Sequence, residues 1–595
     1  MSLFKINIQI SRTLGIFGIC VMICLALLLK ESDVRTQAGA QNLEATYHAL
    51  FTIESLRQNK MQDHWLLPTV TLGQENDAFA PWGATVPTNS GDHIYTSFTS
   101  PGFVLPYAVF EMLDLDVTVK NLARFNMAIG GMLGIALYLL ILRMLLVLGC
   151  SKRISIAAGL VGVSIAFFSR EALLSTGLIY WPHALYQLSL IFSLHLLFNI
   201  FTKPVYSDDW KKSSNILLPF LFFGAWTEWT GYIFNLGLVL ILSLKVDNVT
   251  YKKLAIKIFL TTIAAGVFTI LHYSLVVGFH EYFDALSRAF LSRNANAGNV
   301  SGLIAGYVLS YGFFLMAVLM VLIWGSLLGL GIFKKPTTTA QQSEIVGTVL
   351  LASIFPLIEN FIMLEHATQF SFDRLKFIIP SAILISLGFA FSGVWFRLLL
   401  FALIVLASFH GYASHNDHMK NYSRWPEHHY ANIALIQRLK EQVDFKCATF
   451  GSNLGVRAYA NLLIGRSVYA RSTPEQVIAL NIEKGGCASI FLEGNVAYPD
   501  LPSYSNVKVL KLEDFFLSDG NWLNGVARRW AGFYTSNTSI DRANFKVGNS
   551  ILFQNGDIRK IVKISENGFY LNVWVDGDIL NPNEVGFPSK FKVAK

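Results

Sequence analysis

The stretch that decides how this chain folds is Ile358–Phe377, IENFIMLEHATQFSFDRLKF. Two of the most apolar runs in the sequence flank it, at 345–357 and 377–390. Between them stand Glu359, Asn360, Glu365, His366, Asp373, Arg374 and Lys376. Apolar runs near twenty residues long, separated by short ionisable turns, are the pattern of helices that cross a bilayer and return. The alternation extends over the first 411 residues, with candidate spans at 13–30, 124–149, 154–170, 184–202, 213–228, 230–245, 254–278, 306–332, 345–363, 376–392 and 394–411.

Composition agrees. The 595 residues are 53% apolar and 14% charged, where a soluble protein has about 25% charged residues. The expected class is an α-helical polytopic membrane protein of about eleven spans. The net charge of +8 does not point to nucleic acid, because Lys and Arg cluster between apolar runs. Five cysteines are too few for a disulfide framework, and no metal-type CxxC spacing occurs. Cys20 and Cys24 lie in the first apolar run. Cys447 and Cys487 each open an apolar, strand-like run, and a disulfide between them requires a location outside the cytoplasm. The run 13–29 is long for a signal h-region and reads as a retained helix.

Loop charge orients the spans. Lys152 and Arg153, then Lys203, Lys211 and Lys212, then Lys245, Lys252 and Lys253, then Lys334 and Lys335 fall in alternate gaps, and Arg397 completes the series. The positive-inside rule puts these gaps and the N-terminus in the cytoplasm. An odd number of spans then places everything after residue 412 outside. The remaining gaps are external: the long loop 31–123, REALLSTGLIYWPH (170–183), TEWTG (227–231), HEYFDALSRAFLSRNANAGN (280–299) and the opening stretch. Polar chemistry thus gathers at one membrane face. A transporter more often places it at mid-span on broken helices.

The segments 44–60 and 102–118 are apolar but short, and suit interfacial helices. The chain divides into a transmembrane domain (1–411), an external α/β subdomain (412–518) and an external β-rich module (519–595). The α/β reading rests on strand-like CATFG (447–451) and CASIFLEG (487–494) around helix-like stretches. The β reading rests on the NG and DG hairpin signals after residue 545. Trp530, Tyr534, Tyr570 and Trp574 read either as packing residues or as a carbohydrate contact.

In the first external loop, NLEATYHAL (42–50) sets Glu44, Tyr47 and His48 on one helical face. SGDHIYTSFTSPGFVLPY (90–107) joins Asp92, His93, Tyr95 and several hydroxyls to a Pro–Gly helix entry. With the span layout, these segments resemble the GT-C membrane glycosyltransferases, in particular the bacterial relatives of protein O-mannosyltransferases and lipid A aminoarabinose transferases. The resemblance covers roughly residues 10–410 in organisation, and at motif level the first loop and, more loosely, the opening stretch. It implies transfer of a sugar from a polyprenyl-phosphate carrier to an acceptor outside the membrane. The family's first-loop motif is an adjacent acidic pair with a Tyr three positions after the second acid. Glu44 and Tyr47 match the second acid and the Tyr, while Leu43 stands where the first acid belongs. Either Glu44 takes the role of catalytic base, with Asp92 as its main rival, or Asp33 or Asp77 folds in, or activity is lost. Relatives often carry a Lys before the Pro of the SPGF segment, facing the donor phosphate. Here Thr99 and Ser100 offer hydroxyls only.

The chemistry needs a carboxylate to deprotonate the acceptor hydroxyl, and cations on the departing phosphate. Arg374 and Lys376, at the mouth of a span, are the leading phosphate ligands, and headgroup anchoring is the competing reading. Arg288 and Arg293 are further candidates, or lie on a solvated face. Glu359 and Asn360 line a cavity or form an interhelical pair. His366, Glu228, His93, Tyr95, Tyr47 and His48 complete the expected substrate-binding set. Glu228 sits in TEWTG, whose tryptophans also suit interfacial anchoring. No metal-ligand pair stands out and no cofactor is expected, although a divalent cation on Glu44 and Asp92 stays open.

The expectation is an inverting glycosyltransferase of a bacterial inner membrane, with the N-terminus cytoplasmic and the C-terminal domain periplasmic. Its partners are a polyprenyl-phosphate-linked sugar, a lipid, glycan or protein acceptor, and membrane lipids. Two rivals stand beside it: a lipid-linked glycan flippase, which needs mid-span polar residues, and a non-catalytic glycan-binding scaffold, which the absent first acid favours.

Overall fold

The computed structural model describes residues 2–35, 40, 42–72, 84–244, 249–294, 299–329 and 339–424. Beyond these it describes 440, 448–451, 462–463, 465, 468–469, 488–492, 507–511, 523–528, 532–536, 545–567, 570–577 and 589–594. Two compact units divide the chain. The first is Met1–Thr36, Leu66–Pro68 and Thr96–Asn416; the second is Gln37–Trp65, Thr69–Tyr95 and Asp417–Lys595.

The described part of the first unit is mainly helical, and each of the eleven candidate spans falls largely on helix. Among the described residues, seven helices are long and apolar enough to cross a membrane: Thr13–Arg35, Val119–Val147, Pro182–Thr202, Val249–Val277, Ala340–Ile362, Ser371–Phe391 and Val394–Lys420. The pair Val300–Tyr311 and Phe313–Leu328 is as apolar taken together but bent by 103°, either one broken span or a re-entrant loop. The bend falls at Gly312, whose φ of +49° is a conformation that a side chain resists. The other three candidates are shorter or more charged helices. Lys152–Phe168 and Thr230–Ser243 have 17 and 14 residues, and Asp208–Thr227 opens on Asp208, Asp209, Lys211 and Lys212. Helix starts follow local chemistry. Ser151, Ser169 and Ser207 each accept a backbone N–H from three residues ahead, and Pro101 and Pro182 occupy first helical positions.

Helices Val119–Val147, Lys152–Phe168, Pro182–Thr202 and Ile378–Phe391 supply much of one apolar core. Other faces stay apolar and uncovered. Ile256, Leu260, Ile263, Leu271 and Leu275 on Val249–Val277 are all more than two-fifths exposed. Water does not tolerate such a stripe, but lipid does. The chain is an integral membrane protein.

In the second unit, helix Leu43–Gln58 buries Leu43, Tyr47, Leu50, Phe51, Ile53 and Leu56. A short antiparallel hairpin pairs Thr85–Pro87 with His93–Tyr95, closed by a turn in which Gly91 takes φ +93°. Strands Val468–Tyr469, Ala448–Gly451, Ala488–Leu492 and Val507–Lys511 form, in that order, a parallel four-stranded sheet. Six strands from Leu523–Arg528 to Ser589–Ala594 close a barrel around Phe533, Phe553, Val573 and Phe591. Cys447, Cys487 and Trp530, and the side chains of Tyr534 and Tyr570, lie outside the described residues, while Lys563 sits over the Trp574 ring. The last long helix, Val394–Arg424, passes residue 411 unbroken, so the expected domain boundary falls inside a helix.

Candidate functional site

Four segments that the sequence separates widely meet in the first unit. The Trp229 indole N–H donates to the Ser97 carbonyl at 2.9 Å, and the Tyr273 hydroxyl to the Phe98 carbonyl at 2.8 Å. The Tyr180 hydroxyl donates to the Gly102 carbonyl at 2.5 Å. These bonds hold 96–103 against 180–183 and 227–231. Gly231 tightens the TEWTG turn: a Cβ there would lie 2.5 Å from Ala225 N and the Gly224 carbonyl carbon. Behind 180–183, the Asn126 amide donates to the carbonyls of Ser175, Gly177 and Ile179 at 3.2, 3.0 and 2.8 Å.

The fourth segment is 358–377. It folds as short helical pieces, Phe355–Ile358, Glu359–Ile362, Leu364–Gln369 and Ser371–Phe377. Its ionisable groups turn inward and form a chain. Asp373 hydrogen-bonds through Oδ2 to His366 Nδ1 and through Oδ1 to His183 Nε2. His183 Nδ1 lies 3.8 Å from Glu228 Oε1. The Thr230 hydroxyl contacts Glu228 Oε1 at 2.7 Å and also Glu359 Oε2, on which Lys376 donates. A hydroxyl carries one proton, so it cannot donate to both carboxyl groups. One carboxyl must supply the second proton. The ammonium beside Glu359 favours its ionised form, so Glu228 is the better proton carrier of the two. Burial, reinforced by the charge of Glu359, raises the Glu228 carboxyl above the usual range.

Arg374 and Lys376 stand at the start of span Ser371–Phe391, and both are buried. Lys376 is 0% exposed and paired with Glu359. Arg374, 4% exposed, donates from Nε to Ser310 Oγ at 2.9 Å and from Nη1 to the Ala367 carbonyl at 2.7 Å. Ser310 in turn donates to Glu171 at 2.8 Å, whose buried carboxyl is raised. The apolar packing of the Ser371–Phe377 turn brings both cations inside, where each needs internal acceptors. Asn360 is also internal and donates to the Tyr307 hydroxyl at 2.6 Å. Arg288 is exposed on helix Phe279–Asn294. The Arg293 backbone belongs to the same helix, and its side chain lies outside the described residues.

Glu228 also lines a narrow crevice with Phe98, Thr99, Thr227, Trp229 and Tyr232, too tight to hold a water molecule. Sequence reasoning reached Glu228, Glu359, Asn360 and His366. The expected set does not include His183, Thr230, Thr99 or Asp373. The YWPH stretch was the available signal for His183.

The first-loop residues lie in the second unit. Glu44, Tyr47 and His48 occupy helix Leu43–Gln58 as their spacing requires. The His48 and Tyr95 rings meet edge to face at 4.6 Å between centroids. Asp92 closes the hairpin and accepts from the Ser90 hydroxyl at 3.0 Å. Burial raises its carboxyl, and lowers the His48 and His93 imidazoles to about 3 and about 4. Both histidines are therefore neutral at physiological pH. Glu44 and Asp92 thus share a unit that does not contain Glu359 or Arg374. Among the described residues, no three His, Cys, Asp or Glu side chains are grouped to hold a metal ion.

No family model matches the chain, and no curated protein matches it in sequence. Solved structures do. ArnT from Cupriavidus metallidurans bound to undecaprenyl phosphate is 10% identical, over 93% of this chain and 97% of its own, with a TM-score of 0.50. The same protein in its apo state aligns over 78% and 88%, with a TM-score of 0.46. The archaeal oligosaccharyltransferase AglB from Archaeoglobus fulgidus, with an inhibitory peptide and a dolichol-phosphate, is 12% identical, with a TM-score of 0.48. Its alignment covers 78% of this chain and 65% of the archaeal one. At these identities the likeness is one of fold.

Proposed function

We propose, from the GT-C fold that this chain adopts, that the protein is a membrane glycosyltransferase. It would move a sugar from a polyprenyl-phosphate carrier to a lipid, glycan or protein acceptor. The observation that carries the reading is the near full-length likeness to a structure that holds undecaprenyl phosphate.

In this reading the Glu44 carboxylate takes the proton of an acceptor hydroxyl, with Asp92 as the alternative base. The hydroxyl oxygen attacks the anomeric carbon as the bond to the phosphate oxygen breaks, and the configuration inverts. Base assistance of this kind contributes about 10²–10⁴-fold. The exposed Arg288 is assigned to the carrier phosphate, together with Arg293. Arg374, Lys376, Glu359 and His366 are assigned the task of holding Glu228 and His183 in place. Tyr47, His93 and Tyr95 are assigned to the substrate side of the first-loop unit. The loop charges support a cytoplasmic N-terminus and a C-terminal domain on the periplasmic face of a bacterial inner membrane.

The test is label transfer. The purified protein in proteoliposomes is given radiolabelled polyprenyl-phosphate sugars and a lipid or glycan acceptor. Transfer with at least one donor, depressed at least 100-fold in Glu44→Gln, is expected. Absence of transfer with every donor rejects the reading.

A further inference from the structure

Helix Phe279–Asn294 carries three faces of different chemistry. At about 100° per residue, Phe279, Phe283 and Phe290 fall on one arc, Tyr282, Ala285 and Ala289 on a second, and Glu281, Asp284 and Arg288 on a third. The second arc is buried against the protein. The other two are exposed. Phe279 and Phe290 are 53% and 41% exposed, and the Phe279 and Phe283 rings meet at 4.6 Å between centroids. Water disfavours such an aromatic stripe, and hydrocarbon disfavours the charged arc. A helix with both belongs at the boundary between the two.

The preceding span sets the depth of that boundary. Lys257 is followed by a stretch, 258–277, that holds no Asp, Glu, Lys or Arg. At about 1.5 Å per residue the stretch is about 30 Å long, the thickness of a hydrocarbon core. Its last turns leave Leu271 and Leu275 exposed. The chain then turns at Gly278, whose φ is +93°. The Tyr273 and Tyr282 rings stack at 4.5 Å between centroids, whereas an unbroken helix would set them about 13 Å apart along its axis. The aromatic stripe therefore begins where the hydrocarbon ends, directly after the lipid-facing stripe of the span.

We propose that Phe279–Asn294 is an interfacial helix that lies in the membrane surface. Phe279, Phe283 and Phe290 insert among the acyl chains just below the headgroups. Tyr282, Ala285 and Ala289 hold the helix to the protein, and Glu281, Asp284 and Arg288 face headgroups and water. The occupant of the aromatic face is bilayer lipid, because the chain already presents lipid with an apolar surface up to the turn at Gly278. The Tyr273 hydroxyl donates to the Phe98 carbonyl, so the Tyr273–Tyr282 stack ties segment 96–103 to a fixed depth in the membrane. Nothing in this assignment depends on glycosyl transfer.

The test uses the full-length protein in phospholipid nanodiscs. With the native cysteines replaced by Ser, a spin label is placed in turn at Phe283→Cys, Phe290→Cys, Glu281→Cys and Asp284→Cys. Power saturation then measures collision with oxygen, which concentrates in lipid, and with a nickel chelate, which stays in water. Oxygen collision is expected to exceed nickel collision at 283 and 290, and the order is expected to reverse at 281 and 284. Wild type supplies a second measurement that needs no substitution. A phospholipid with a photoreactive group near the carbonyl end of its acyl chain is expected to label the peptide 279–291 more than one with the group at the terminal methyl. Nickel collision at 283 and 290 equal to that at 284 overturns the proposal by showing a water-facing stripe. Low collision there with both reagents also overturns it, because a second copy or another segment of this chain then covers the rings. Absence of lipid label from the wild-type peptide overturns it as well.

Discussion

His183 and Asp373, 190 positions apart in the sequence, share a buried hydrogen bond between Nε2 and Oδ1. The bond fastens the start of helix Pro182–Thr202 to the turn Ser371–Phe377, and through His366 and Glu228 it extends into a continuous internal chain of charge. Buried charges persist only when paired and hydrogen-bonded, so the pairing itself can be tested.

The Lys376–Glu359 pair is the first test. Lys376→Met leaves Glu359 buried without its cation, and a loss of about 3–5 kcal/mol is expected. Glu359→Leu combined with Lys376→Met should cost less than Lys376→Met alone, because no orphan charge remains. Thermal unfolding of wild type, Lys376→Met, Glu359→Leu and the double variant in detergent checks this. A double variant less stable than either single variant contradicts the pairing.

Asn126 supports the segment that leads into YWPH. Its amide serves the carbonyls of Ser175, Gly177 and Ile179 and is 0% exposed. Asn126→Leu fills similar space but strands those carbonyls, and a loss of about 2–4 kcal/mol is expected. Protease susceptibility should rise within 175–183. Unchanged stability counts against this role.

The proton assigned to Glu228 has a spectroscopic signature. At neutral pH the infrared difference spectrum between wild type and Glu228→Gln should contain a protonated-carboxyl stretching band. The direction agrees with the raised Glu228 carboxyl. A difference spectrum with carboxylate bands alone puts the shared proton elsewhere.

The sequence made the membrane class legible because hydropathy acts locally: each apolar run becomes a helix whatever its neighbours do. The helical face of Glu44, Tyr47 and His48 was legible for the same reason, since i, i+3 and i+4 spacing is a property of one element. The concentration of polar residues in 170–183, 227–231 and 358–377 also marked the segments that meet. Their partners were not legible. Nothing within FDRLKF says that Lys376 faces Glu359 or that Arg374 faces Ser310 and the Ala367 carbonyl, so both read as phosphate ligands at the mouth of a span.

His48 and His93 give a prediction for acid. Burial lowers both imidazoles, to about 3 and about 4, while an unfolded chain takes up these protons near pH 6.5. The stability they contribute is complete above about pH 6.5 and declines as pH falls toward the folded values. On the order of 1 kcal/mol for each histidine is at stake, allowing for partial solvent access. Unfolding midpoints between pH 7 and 4.5 should fall less steeply in His48→Gln than in wild type. Equal slopes contradict the buried neutral state.

The central claim is glycosyl transfer from a polyprenyl-phosphate donor with Glu44 as base. The most direct measurement is release of free polyprenyl phosphate from a polyprenyl-phosphate sugar in the presence of acceptor, in wild type, Glu44→Gln and Asp92→Asn. The account predicts acceptor-dependent release by wild type, a rate in Glu44→Gln lower by about 10²–10⁴-fold, and a smaller effect of Asp92→Asn. Equal release by wild type and Glu44→Gln, or none from any sugar-bearing carrier, would contradict it.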